Sequence, residues 1–257
     1  MRFLALLFLA APLSAQTIDL SRGRLVDLTH ALDENTLFWP TSPTRFKLDR
    51  LSYGETPGGW FYASNSFSLP EHGGTHLDAP IHFHRGGVTS DAIDLKRLIA
   101  PAVVIDVSAQ AARDADYRLT VADVNAFERA HGRIAAGTIV LLRTGWSSRW
   151  PDAKRYLGDD TPGDASHLHF PSYGADAVRL LVADRKIAAL GVDVASIDYG
   201  ASTDFMVHRI ASEAGVPGFE NLTGLEQLPA TGAVLLALPM KIRGGSGGPL
   251  RAVAVVP

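Results

Sequence analysis

Histidine residues are concentrated in one short stretch of this chain. Four of the nine histidines lie between residues 71 and 84, together with Asp78 and the glycine pair Gly73-Gly74. Imidazole and carboxylate groups are the ligands that a divalent first-row metal takes where thiolate is absent, and the chain contains no cysteine. The stretch therefore predicts a metal site. The alternative is a solvated, histidine-rich surface loop that binds nothing.

The spacing within this stretch predicts how its side chains are arranged. In an extended chain, side chains two positions apart project to the same side. From residue 76 onward this rule places four polar side chains together, namely His76, Asp78, His82 and His84. The glycine pair permits a tight turn that folds His72 back toward them. A helix is excluded, because the glycines and an Asp-Ala-Pro run bracket the segment.

Residues 72–83 read HGGTHLDAPIHF. This run resembles the signature of the cyclase family of metal-dependent hydrolases, H-x-G-T-H-x-D-x-P-x-H-F, and matches each of its fixed positions. The family includes bacterial kynurenine formamidase and isatin hydrolase. The resemblance implies a single-domain swivelling β/β/α fold, a homodimer, and a divalent metal cofactor, with one or two ions of zinc or manganese per subunit.

The resemblance also implies a set of ligands that extends beyond the motif. His72, His76 and Asp78 would hold one metal, Asp78 and Glu220 would bridge two metals, and His208 would complete the second. Taken alone, His208 is a helix histidine and Glu220 a surface carboxylate. Two cations that share carboxylates lower the pKa of a bound water to near neutrality and stabilise the tetrahedral oxyanion.

Two further residues receive roles from the same resemblance. His82, with an ordinary pKa near 6.5, would carry a proton from water to the leaving nitrogen. Trp39, an aromatic residue directly before Pro40, would line the substrate pocket.

The rest of the chain must supply the elements that position these residues. Apolar patterns predict strands at 25–30, 102–107, 138–144, 187–193, 234–238 and 250–256, and a half-buried strand within 58–69. Helices are predicted at 93–99, 175–186 and 205–211, and one more between the N-cap pair Thr120 and Asp123 and the stop at Gly132. A polar excursion separates residues 150 and 172. This mixture predicts one α/β domain.

The two ends of the chain and its charge limit the protein's environment and partners. Met1-Arg2, an apolar run to Pro12 and a small residue before Gln16 predict a signal peptide at 1–15, too short to span a membrane. Residues 16–257 would form the cyclase-family hydrolase domain, secreted or periplasmic. The alternative is a buried N-terminal strand or helix. A net charge of −3 without a basic stripe excludes nucleic acid as a partner.

We interpret the protein as a metal-dependent amidohydrolase and, on the strength of Glu220 and Trp39, as an arylformamidase acting on an N-formylkynurenine-type substrate. Two alternatives remain open. Chain length and residues 98–101, 150–172 and 241–252 favour isatin hydrolase-like opening of a cyclic amide. Both enzymes would take a small-molecule aromatic amide. The third hypothesis is an exported metal-binding protein without turnover, and the presence of His82 disfavours it.

Overall fold

The structure is a computed structural model that describes residues 22–257, so the predicted signal peptide lies outside the described residues. The strands are β1 (Arg24–Asp27), β2 (Lys47–Glu55), β3 (Phe61–Ser68), β4 (His76–Asp78), β5 (Ile99–Asp106), β6 (Arg118–Leu119), β7 (Ile139–Arg143), β8 (Ser172–Tyr173), β9 (Ala189–Val192), β10 (Gly218–Glu220), β11 (Ala233–Pro239) and β12 (Gly247–Val256). The helices are α1 (Leu95–Leu98), α2 (Ser108–Ala111), α3 (Val121–His131), α4 (Ala153–Leu157), α5 (Ala175–Ala183) and α6 (Met206–Glu213).

Eight strands form one sheet that closes into a barrel. Their order is β1-β12-β11-β5-β7-β9-β10-β4, and β12 also pairs with β4. β12 makes both contacts because its residues 247–249 lie beside β4 while residues 250–255 lie beside β11. Closure therefore leaves the short strand β4 between β10 and β12. The predicted α/β class and single domain are confirmed.

Apolar side chains pack against both faces of this sheet. β7 is the clearest example: Ile139 and Leu141 join the cluster inside the barrel, and Val140 and Leu142 join the cluster under the helices. The predicted strand buried on both faces is thus confirmed. None of the helices within residues 22–257 combines the length and the apolar character needed to cross a membrane.

Local signals locate several element boundaries correctly. Thr120 and Asp123 form a reciprocal capping box at the start of α3, and Gly132, at φ +87°, follows its last residue. Three helices differ from the prediction by a few residues, and the first of them, α1, covers only Leu95–Leu98 of the predicted 93–99. α5 ends at Ala183 and α6 begins at Met206. The neighbouring residues Lys186 and Phe205 adopt left-handed backbone conformations, which a right-handed α-helix cannot include.

The prediction for residues 58–69 is wrong in one respect. β3 exists, but it pairs only with β2 in a separate two-stranded hairpin, and it is not half-buried. Trp60, Phe61 and Phe67 are 62%, 54% and 52% exposed. These aromatic residues are therefore not part of the hydrophobic core, because no second layer of the described chain covers the hairpin.

Candidate metal centre and active site

The glycine turn and β4 place the first ligands. Gly74 takes φ +60°, a left-handed conformation that turns the chain after His72. His76 and Asp78 then share one side of β4, and both are buried. The extended conformation ends there, because Pro80 opens a 3₁₀ turn that runs to His82. The parity rule therefore fails after Asp78, and the exposed His84 does not join the site.

Two distant elements bring the remaining ligands. β10 pairs antiparallel with β4 so that Glu220 lies opposite His76. His208 lies on the buried face of α6. Its Nε2 is 2.9 Å from Asp78 Oδ2 and 3.2 Å from Glu220 Oε1. His72 Nδ1 is 2.6 Å from Asp78 Oδ1, and His76 Nε2 is 3.2 Å from the same oxygen. All five predicted ligands thus converge in one buried cluster.

Each of the three predicted histidine ligands is oriented by a bond to its outer ring nitrogen. His76 Nδ1 lies 2.9 Å from the carbonyl oxygen of Gly74. His208 Nδ1 lies 2.7 Å from Asp198 Oδ2. His72 Nε2 lies 2.8 Å from Ser246 Oγ. A proton on each outer nitrogen leaves a lone pair on the inner one, which is what metal ligation requires.

The electrostatics of the cluster also fit a cation. Burial raises the pKa of Glu220, and the neighbouring Asp78 raises it further. Burial alone would depress the pKa of His76, yet Asp78 and Glu220 raise it to about 9. The two buried carboxylates are therefore stabilised by positive charge between them. Without a bound metal, protons on the imidazoles supply that charge. Three imidazoles and two carboxylates are a suitable donor set for one or two divalent ions.

His82 occupies a different position from the ligands. Its ring stacks on that of His72, with centroids 3.8 Å apart. Burial lowers the pKa of His82 to about 4, so the ring is neutral near pH 7 and can accept a proton. A ring nitrogen of His82 nonetheless lies within 4.8 Å of the ligand atoms of His72 and Asp78. The geometry is therefore compatible with a proton carrier and also with a ligand, and mutation distinguishes the two roles.

The cluster forms one wall of a cavity of about 260 Å³. Trp39 lines this cavity, and its ring centroid is 6.2 Å from that of Phe205. The ring of Phe170 meets that of Trp39 in an edge-on arrangement, with centroids 6.5 Å apart. The excursion at 150–172 thus has a role that its sequence does not reveal: Phe170 supports Trp39, and Leu157 lines the cavity.

Several residues of the site were not found from the sequence. Ser246 bonds His72 and donates a hydrogen bond to Glu71 at 2.6 Å. Asp198 bonds His208, and the Asn221 amide donates to the Gly74 carbonyl at 2.8 Å. The sequence signal at Asp198 and Ser246 was limited to the turn-forming residues around them, which predict irregular backbone but no contact with a ligand. In contrast, His169 pairs with Asp116 on the exposed surface and does not line the cavity.

Comparison with known proteins agrees with this geometry. A family model described as "Putative cyclase" matches residues 26–199. Isatin hydrolase from Roseibium aggregatum is 36% identical, over 91% of this chain and 92% of its own length. Kynurenine formamidase from Salinibacter ruber is 29% identical, over 89% and 96%. The solved structure of isatin hydrolase A from Ralstonia solanacearum is 38% identical and superimposes with a TM-score of 0.84, covering 96% and 100% of the two chains. The chain therefore belongs to the cyclase family of metal-dependent hydrolases.

Proposed function

We propose that this protein hydrolyses a cyclic aromatic amide of the isatin type, opening its lactam ring. The observation that carries this proposal is the character of the cavity lining beyond the metal ligands. Within the described residues 22–257 that lining is largely apolar, with Phe38, Trp39, Phe83 and Phe205 as its aromatic side chains, and it contains no lysine or arginine. Such a wall suits a flat, compact and uncharged ring.

The same wall distinguishes the two enzymatic hypotheses. N-formylkynurenine carries an α-ammonium and an α-carboxylate group in addition to its aryl formamide. Burying those charges without partners costs several kcal/mol each. The polar groups beyond the predicted ligands are few, and Asn221 already bonds both Tyr156 and Gly74. Isatin carries no charged group that would need a partner in the cavity. The relatives named isatin hydrolase, at 36% and 38% identity, support the same choice over the formamidase at 29%.

The residues of the site have separate roles in this reaction. Divalent ions held by the five ligands would supply Lewis-acid activation of water and of the amide carbonyl. The aromatic wall positions the ring and excludes water. His82 accepts one proton from water and delivers it to the amide nitrogen as the C–N bond breaks. The water oxygen stays on the carbonyl carbon and the new carboxyl group releases the second proton to solvent, so ring opening gives a single product that carries both a carboxylate and an aromatic amine.

A substrate comparison tests the proposal. We expect the metal-loaded protein to hydrolyse isatin with a kcat/KM at least tenfold above that for N-formylkynurenine. 2-Formamidoacetophenone, which keeps the aryl formamide but lacks the amino-acid group, is the matched control and should fall between them. A higher kcat/KM for N-formylkynurenine than for isatin would overturn the proposal. Full metal loading without turnover of any of the three would favour the metal-binding protein instead.

We also propose that the protein is a homodimer and that the β2–β3 hairpin forms the interface. An isolated two-stranded hairpin is marginally stable in water, and this one exposes large apolar side chains that need cover, among them Leu51, Tyr53, Trp60 and Phe61. At its base lies a groove whose lining includes Phe67, Leu238 and Met240. A second copy offers both the hairpin and the groove, so a two-fold arrangement can cover both.

The mass of the protein in solution tests this second proposal. Sedimentation or light scattering should give about twice the mass of the mature chain, and Tyr53→Glu, which places a charge on the exposed hairpin, should shift the equilibrium toward the monomer. Val88→Glu, at an exposed position outside the hairpin, is the matched control. A monomeric wild-type protein would refute the dimer, and a Tyr53→Glu dimer of unchanged affinity would refute the hairpin interface.

A further inference from the structure

Asp198 is a buried carboxylate outside the predicted ligand set. Three N–H groups point at it. The backbone nitrogen of Val207 lies 2.9 Å from Oδ1, and the backbone nitrogen and Nδ1 of His208 lie 3.0 and 2.7 Å from Oδ2. One side chain therefore fixes both the start of α6 and the ring of His208. A residue kept only for helix capping would not need the imidazole contact.

The backbone beside Asp198 contacts the other distant ligand. The Ile197 N–H donates a hydrogen bond to Glu220 Oε1 at 2.8 Å. Ser172 Oγ lies 2.7 Å from the carbonyl oxygens of both Ser196 and Ile197, and its single O–H, shared between them, anchors this segment. The segment 196–198 therefore orients both ligands that come from outside the motif.

The contact to Nδ1 has a direct chemical consequence. A carboxylate at Nδ1 holds the ring proton there, so Nε2 presents its lone pair toward Asp78 and Glu220. We infer that Asp198 is the positioning residue of the metal centre: it fixes the tautomer and orientation of His208 and thereby strengthens divalent-metal binding. This inference rests on the metal centre of the proposed function but not on the choice of substrate.

The other two imidazole ligands lack such a partner on their outer nitrogens. His76 bonds a backbone carbonyl, and His72 bonds the hydroxyl of Ser246. Neither acceptor carries a charge of its own. Removal of the Asp198 charge should therefore affect metal binding through His208 and leave the orientation of His72 and His76 unchanged.

Metal affinity provides the first test. For Asp198→Asn we expect binding of Zn²⁺ or Mn²⁺ to the metal-free protein to weaken by about 10–100-fold, the usual effect of losing a carboxylate partner behind a ligand. Competition against a chromophoric chelator measures this without substrate. The ¹⁵N shifts of His208 should report movement of its proton from Nδ1 toward Nε2. Asp116→Asn is the matched control, because it removes the carboxylate bonded to His169 at 2.8 Å on the surface.

A double-mutant cycle separates positioning from general structural support. If Asp198 acts through His208, the pair Asp198→Asn/His208→Ala should bind metal no more weakly than His208→Ala alone. The inference would be overturned if the fold-losses of metal affinity in the two single variants multiply in the double variant, or if Asp198→Asn binds metal with wild-type affinity. Should Asp198→Asn fail to fold, Asp198→Ser serves in the same cycle, because its hydroxyl can still accept from the helix N–H groups but brings no charge to the imidazole.

Discussion

Removal of the His82 ring tests how the site moves protons. Because burial lowers the pKa of His82 to about 4, about one ring in a thousand is protonated at pH 7. Nearly the whole population is therefore ready to accept a proton from water. His82→Ala should lower kcat by the full effect of an acid–base group, about 10²–10⁴-fold or about 2.7–5.4 kcal/mol of barrier, with little change in KM.

The assay must separate a lost proton carrier from a lost ligand. Metal content of His82→Ala should equal that of the wild type, because all five predicted ligands remain. Added imidazole should restore part of kcat, since the deleted ring leaves space beside His72. An activated aryl ester, whose leaving group needs no proton, should lose far less rate than the amide. His84→Ala removes an exposed histidine two residues away and should change nothing.

Two outcomes would refute this reasoning. If His82→Ala loses metal in proportion to its activity, His82 is a ligand, a role that its distance from Asp78 and His72 permits. If amide and activated ester lose rate equally at full metal content, the ring does not deliver the proton to the leaving nitrogen.

Three further predictions concern close packing, pH and processing. Gly247→Ala should weaken metal binding at least tenfold, measured by chelator competition, because an added Cβ would lie 2.5 Å from the backbone oxygen of Leu77 and 2.6 Å from Cε1 of His72; unchanged affinity would contradict this prediction. Burial lowers the pKa of His30 in the folded protein to about 4, whereas in the unfolded chain it is about 6.5. As the pH drops from about 6.5 to 4, the unfolded chain therefore binds the proton first, and His30 should lower the wild-type free energy of unfolding by at most about 3 kcal/mol. Urea titrations of His30→Gln should show a smaller fall, and an identical pH dependence would contradict the assignment. Intact mass of the protein from its own host should place the N-terminus at or near Gln16, and a retained Met1 would exclude cleavage.

The sequence alone determined the features that depend on neighbouring residues. The capping box of α3 needs only Thr120 and Asp123 three positions apart, and β7 needs only an unbroken apolar run. His76 and Asp78 share a side of β4 because any extended chain alternates its side chains. The motif also identified the family, and through it His208 and Glu220, which local chemistry alone would not have selected.

Other features were decided only by the tertiary structure. His208 lies 130 residues from Asp78, and Ser246 lies 174 residues from His72, so their contacts require α6 to pack against the turn that follows β4 and β12 to pair with β4. The alternation of apolar and polar residues in β3 could not reveal that no layer of the described chain covers its hairpin, because the exposure of a strand depends on what packs against it. Local patterns encode backbone conformation, whereas the orienting partners Asp198 and Ser246 become visible only when barrel closure brings distant segments together.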